Sequence, residues 1–132
     1  MAQKREVQGQ VLDERGLPPG YQLHAELETT PRQVARQRKA GEPMVLVDCR
    51  TPAEYATARI DGAVLVPLQE AAQRQGELEK YRDEPVVVVC HHGVRSLRMT
   101  VWLRGLGFGD VRSMAGGIDL WSRDVDPTVP RY

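Results

Sequence analysis

The stretch Val86-Val87-Val88-Val89-Cys90-His91-His92-Gly93-Val94-Arg95-Ser96 decides how this chain is read. Four β-branched valines in a row are stiff at χ1 and suit a pleated strand. They do not alternate with polar residues, which marks a strand covered on both faces, as in a parallel sheet. The residues that follow are poor core material: two histidines, a glycine and an arginine. Beyond them Met99, Leu103 and Leu106 fall at i, i+4 and i+7, so a helix is expected over about residues 95–106. Gly107 and Phe108 supply its stop.

The same alternation continues on either side. Thr30-Pro31-Arg32-Gln33 has the chemistry of a helix start, a hydroxyl cap with proline in the first turn, and the helix is expected to run to Ala40 before Gly41. Met44-Val45-Leu46-Val47 reads as a strand, and Thr51-Pro52-Ala53-Glu54 opens a short helix to about Ala58. Ala63-Val64-Leu65-Val66-Pro67 is the next strand, residues 68–82 are expected to be one helix, and Asp83-Glu84-Pro85 breaks it. Val111-Arg112-Ser113-Met114 is the last strand. Gly116-Gly117 forms a turn, and residues 118–121 a final half-buried turn or helix. The expected fold is α/β and doubly wound, with a mainly parallel sheet of about five strands flanked by helices on both faces. Residues 1–21 are polar, broken by Gly16-Leu17-Pro18-Pro19-Gly20, and read as an N-terminal arm outside the core with a short strand around 7–12. Residues 22–132 form the domain proper.

A length of 132 residues suits a single domain. Apolar residues make up 41% and charged residues 27%, the ordinary globular balance. Eighteen basic side chains meet eighteen acidic ones, which argues against a nucleic-acid partner. The longest apolar run, residues 86–90, is far too short to span a membrane. The opening Met1-Ala2-Gln3-Lys4-Arg5-Glu6 is charged and lacks the apolar centre of a secretion signal. Two cysteines make no disulfide framework. The expected compartment is therefore the reducing cytoplasm, where a cysteine is reactive or buried more often than bridged.

In parallel sheets of this kind ligands sit beyond the carboxyl ends of the strands. Cys90 stands at that edge, before a tight loop that leads into a helix. Unpaired amides of the loop and first turn carry partial positive charge and can cradle an anion. Arg95 adds a full charge at the rim, and His91 and His92 stand beside the sulfur. Each feature favours thiolate over thiol, so a depressed Cys90 pKa is expected. A nucleophile in an anion cradle is a reaction site.

The segment Cys90-His91-His92-Gly93-Val94-Arg95-Ser96 resembles the active-site loop of the single-domain rhodaneses, a sulfurtransferase family. Val45-Leu46-Val47-Asp48-Cys49-Arg50-Thr51-Pro52-Ala53-Glu54-Tyr55 is similar to that family's first signature. Ile60-Asp61-Gly62-Ala63, Leu106-Gly107-Phe108 and Ala115-Gly116-Gly117-Ile118-Asp119-Leu120-Trp121 match later segments in order. The likeness covers about residues 24–122. It departs at Ala58-Arg59, where the family usually has Gly-His, so no histidine role is assigned there.

The resemblance implies a sulfurtransferase that moves sulfane sulfur from thiosulfate or a persulfide donor to a thiophilic acceptor, through a persulfide on Cys90. The implied partners are a small anionic sulfur donor and a protein sulfur donor or acceptor, with no cofactor. His91, His92, Gly93, Val94, Arg95 and Ser96 are the implied substrate-binding residues. Arg95 would orient the donor, Gly93 would let the backbone turn, and Ser96 would cap the following helix. The two histidines recognise donor or acceptor, or lower the thiol pKa, or are solvated loop residues with neither job. Asp48 and Arg50 are read as fixing the Cys90 loop through hydrogen bonds, against a surface ion pair. Cys49 is either a resolving thiol or a small core residue. The cysteine and histidine spacing matches no usual metal pattern. Two rival readings remain at this level. One is a non-catalytic module of the same fold. The other is a Cys-loop-Arg phosphatase or arsenate reductase, whose arginine lies one residue further from the cysteine.

Overall fold

The computed structural model describes residues 5–7 and 10–132, with side chains from Val11 onward. Part of the arm expected over 1–21, and part of the strand expected over 7–12, fall outside the described residues. Along the chain, β1 (Arg5–Val7) and β2 (Gln10–Leu12) form an antiparallel pair. There follow β3 (Glu28–Thr29), α1 (Pro31–Lys39), β4 (Val45–Asp48), α2 (Pro52–Thr57) and β5 (Val64–Leu65). A 3₁₀ turn (Leu68–Glu70), α3 (Gln75–Glu79), β6 (Val86–Val89), α4 (Val94–Gly105), β7 (Val111–Met114) and α5 (Gly117–Asp124) complete the order.

The five strands β3, β7, β6, β4 and β5 lie side by side in that order, and every pairing is parallel. Its all-parallel pairing explains the uninterrupted apolar runs, because each central strand is covered twice. Val47 and Val88 face one layer with Leu78, Met99 and Leu103, under α3 and α4. Leu46, Val87 and Val89 face the other with Val34, Ile118 and Trp121, under α1 and α5. Each large side chain fully buried in these layers contributes about 1.5–3 kcal/mol relative to exposure.

Local chemistry sets the helix starts. Thr30 Oγ accepts the Gln33 amide hydrogen at 3.1 Å. Thr51 and Glu54 form a reciprocal capping box, Thr51 Oγ accepting from the Glu54 amide and Glu54 Oε1 from the Thr51 amide, each at 3.2 Å.

Four expectations need correction. Residues 68–82 form a 3₁₀ turn and the short α3, not one helix. Residues 72 and 73 are exposed and Gly76 weakens the helix, so no burial holds the middle in shape. The final element is a full helix, α5, and is buried along most of its length. The fifth strand of the sheet is β3, two residues long, which carries no readable periodicity. The arm is not wholly outside the core: Leu12 and Leu17 are buried against Ala115 and Leu120.

Candidate active site

From β4 the chain turns outward to β5, and from β6 it turns the opposite way to β7. The topological switch point, where such sheets hold their ligands, lies between β4 and β6. Each of these strands is followed at once by a cysteine: Cys49 after β4 and Cys90 after β6.

Cys90 Sγ sits inside a ring of donors. The Gly93 amide reaches it at 3.1 Å and the Ser96 amide at 3.3 Å. Ser96 Oγ lies 3.2 Å from the sulfur and 2.7 Å from Ser113 Oγ. With the sulfur ionised, Ser113 donates to Ser96 and Ser96 donates to sulfur. The Cys49 side chain is the remaining donor, and its hydrogen bond is the largest influence on the Cys90 pKa. Burial opposes ionisation, but Cys49, the Ser96 hydroxyl and the two amides outweigh it, and the thiol is pulled down to about 5. Cys49 is pushed far above the usual thiol range, first because it donates to the Cys90 thiolate.

Gly93 carries the turn. Its φ is +101°, and a Cβ there would lie 3.2 Å from the Gly116 amide nitrogen. A glycine lets the loop pack directly on the β7–α5 connection, which aims the Gly93 amide at the sulfur.

The structure relocates several expected roles. Cys90 is only 1% exposed, so its sulfur lies buried within the ring. Ser96 is not a helix cap; Gly93 occupies the cap position of α4 and Ser96 turns inward to the sulfur. Among the loop amides, those of Gly93 and Ser96 meet Sγ. Val94 is exposed on the first turn of α4. Arg95 does not stand free at the rim. Its guanidinium makes a two-pronged pair with Glu54, at 2.6 and 2.9 Å, which holds Glu54 well below the usual carboxylate range.

His91 stacks on Tyr132, with ring centroids 3.9 Å apart and planes within 9°. Burial, then the neighbouring His92, lowers its pKa. His92 is exposed, with Nδ1 4.0 Å from Asp119 Oδ2.

Asp48 and Arg50 form a fully buried ion pair, at 2.7 Å, not a surface one. Arg50 Nη1 also donates to the Tyr132 hydroxyl at 2.8 Å, and Arg50 reaches the Glu54 carbonyl within α2 and the Ala58 carbonyl just beyond it. Among the described residues no hydrogen bond joins Asp48 or Arg50 to the 90–96 loop. Their influence passes through Tyr132, which donates to Glu54 at 2.7 Å and covers His91. Glu54 and Tyr132 are the site residues that sequence reasoning missed. Glu54 announced itself as a helix-capping residue and as part of the first family signature, with nothing linking it to Arg95, and Tyr132 had no signal at all. A cavity of about 260 Å³ opens beside the ring, lined by Cys49, Thr51, Leu68, Gln69, Arg95 and Arg98.

Thiolate absorbance in the ultraviolet should therefore show a first step with its midpoint near pH about 5, which belongs to Cys90, while Cys49 stays a thiol through the usual thiol range. A single step near the free-thiol value of about 8.5 would contradict the donor ring.

A family model described as "Rhodanese-like domain" matches residues 30–124, which hold four of the sheet's five strands, the donor ring and Glu54. This chain belongs to the rhodanese-like family. The rhodanese domain is 35% identical over 99 residues to the thiosulfate sulfurtransferase GlpE of Pseudomonas putida, covering 74% of this chain and 86% of the relative. It is 40% identical over 88 residues to a sulfurtransferase of Allochromatium vinosum, covering 67% of this chain and 80% of that protein. Against the probable adenylyltransferase/sulfurtransferase MoeZ of Mycobacterium tuberculosis it is 31% identical over 103 residues, and there it spans only 26% of the relative's length. Among solved structures, a rhodanese-like domain protein from Staphylococcus aureus superposes with a TM-score of 0.67 at 25% identity, covering 80% of this chain and 98% of the other. These relationships support sulfurtransferase chemistry in general. No helix among the described residues is long and apolar enough to cross a membrane.

Proposed function

We propose that this rhodanese domain takes sulfane sulfur from thiosulfate, or from a persulfide donor, and passes it to a thiophilic acceptor through a persulfide on Cys90. The observation that carries this reading is the ring of Gly93, Ser96 and Cys49 donors around a thiol pulled down to about 5. At neutral pH such a sulfur is an anion and a nucleophile. It attacks the outer sulfur of thiosulfate, the donor's S–S bond breaks, and sulfite leaves with the bonding pair. The terminal sulfur of the new persulfide carries the negative charge, which loop amides and Arg95 stabilise as an oxyanion hole stabilises an alkoxide. Cyanide, or a thiol on a small molecule or protein, then attacks that terminal sulfur and restores the Cys90 thiolate. Two half-reactions through one covalent intermediate give ping-pong kinetics.

Arg95 serves an incoming anion by exchanging Glu54 for it, with Arg98 beside it on the same cavity wall. Free Cys49 and Cys90 thiols suit a reducing compartment such as the cytoplasm.

Intact mass spectrometry after thiosulfate treatment tests the reading. One added sulfur atom, mapped to Cys90 and removed by cyanide, is expected. An unmodified chain would overturn the reaction, and aryl phosphate hydrolysis that depends on Cys90 would favour the phosphatase reading instead.

A further inference from the structure

Cys49 is not used by the transfer steps above except as a hydrogen-bond donor, yet its placement suits a bond to Cys90. Asp48 and Val89 are partners across β4 and β6, so the next residues, Cys49 and Cys90, stand opposite each other at the ends of adjacent parallel strands. Neighbouring strands lie about 4.8 Å apart, within the Cα separation of about 4.4–6.8 Å that disulfides use. Val47, Cys49, Val88 and Cys90 share one interior layer, so both thiols project from the same face of the sheet. Both cysteines are free, so the pair is poised without being bridged.

A second observation separates Cys49 from a mere packing residue. It lies in the wall of the cavity that Arg95 and Gln69 also line, so one member of the pair borders an opening although both cysteines are only 1% exposed. A residue kept only for its volume needs no such opening.

We infer that Cys49 is a resolving thiol, which attacks the inner sulfur of the Cys90 persulfide, expels the terminal sulfur as hydrosulfide and leaves a Cys49–Cys90 disulfide. The step rests on the persulfide reading above. It balances internally. The Cys49–Cys90 bond forms as the Sγ–S bond of the persulfide breaks. The departing sulfur takes the electron pair and the Cys49 proton. Two thiol-level sulfurs are oxidised to a disulfide while one sulfane sulfur is reduced to sulfide, so no other oxidant enters. The proton that Cys49 directs at the Cys90 thiolate in the resting protein is the one the leaving sulfur requires. An external dithiol reopens the disulfide and restores the resting site. The added activity is reductive release of sulfide from sulfane sulfur, with a dithiol as the final reductant.

The test compares the wild-type chain with Cys49→Ser, which keeps a hydroxyl donor for the Cys90 thiolate but cannot form a disulfide. Both are loaded with thiosulfate without oxygen, freed of excess donor and incubated without thiol, while sulfide and intact mass are followed. In the wild-type chain the sulfur adduct is expected to decay, with one sulfide released per adduct and a product two hydrogens lighter than the reduced chain, cross-linked between Cys49 and Cys90. In Cys49→Ser the adduct is expected to persist, with thiol-free sulfide release lost. A wild-type adduct that lasts as long as that of Cys49→Ser overturns the resolving step and leaves the transfer reading standing. Failure of both chains to gain sulfur at Cys90 overturns the transfer reading, and the resolving step with it.

Discussion

Cys90→Ser is expected to lose thiosulfate-dependent sulfur transfer down to the assay blank while folding like the parent. Oxygen replaces sulfur at the centre of the ring, where the Gly93 and Ser96 amides can still donate to it. The site's hydrogen bonds therefore survive. Among the described residues, however, no carboxylate or imidazole is hydrogen-bonded to the Cys90 side chain, so a serine hydroxyl there lacks a base to remove its proton. His91 is stacked on Tyr132, and its pKa is lowered by burial and by His92. Nothing then attacks the donor, and no covalent sulfur can be carried.

The same substitution has a pH signature in stability. The Cys90 pKa is about 5 in the folded chain, below the about 8.5 of an unfolded thiol. A group whose pKa folding lowers stabilises the fold fully above the unfolded value and loses that contribution as pH falls through the folded one. Between about pH 8.5 and 5 the wild-type chain should thus lose stability relative to Cys90→Ser, and denaturant titrations at the two ends of that range measure it. Retained transfer by Cys90→Ser would place the chemistry on another residue. A wild-type to Cys90→Ser difference that does not change with pH would mean that the thiol is not ionised by the fold.

Much of this architecture is written in short local signals. The Val86–Val89 run could scarcely be anything but a covered strand, and all four residues are buried. Thr30 and Thr51 announce their helices through hydrogen bonds made within three residues. The Cys90 loop is legible for the same reason, since strand end, loop and helix start are contiguous. What escaped is non-local or too short. β3 is a strand only because β7 lies beside it. The pair between Glu54 and Arg95 and the stack of Tyr132 on His91 join residues far apart in sequence, and neither partner hints at the other. Arg50 is hardest to foresee. Charged side chains are almost never fully buried unless paired, and the pairing here depends on Asp48, the Glu54 and Ala58 carbonyls and Tyr132 arriving together. Ser96 misleads because its position suits a helix cap, whereas the left-handed Gly93 starts α4 and leaves the hydroxyl free to face Cys90.

Gly117→Ala is expected to damage fold and site together. Gly117 has φ +60°, and a Cβ placed there would lie 2.4 Å from both the Cys90 and His91 carbonyl oxygens. These are backbone atoms of the Cys90 loop and cannot swing aside as a side-chain tip would. They are also held in place, because Ile118 donates its amide to Cys90 O at 2.8 Å and Asp119 to His91 O at 3.1 Å. A methyl group must force the first turn of α5 off the loop and break these two bonds. Left-handed strain and overpacking together should cost about 2–5 kcal/mol, a large share of the about 5–15 kcal/mol that holds a domain folded. Gly76→Ala is the matched control: no atom lies within 4 Å of its added Cβ, it lies in α3, and its φ is not positive. It should be neutral or stabilising by about 0.5–1 kcal/mol. Urea midpoints separate the two variants. In whatever fraction of Gly117→Ala folds, the first thiolate step should move up from about 5 toward the ordinary thiol value, because the loop that aims the Gly93 and Ser96 amides has shifted. Equal midpoints for Gly117→Ala and the parent would mean that α5 does not brace the loop. A lowered midpoint with an unmoved thiolate step would confine its bracing to stability and detach it from the chemistry of Cys90.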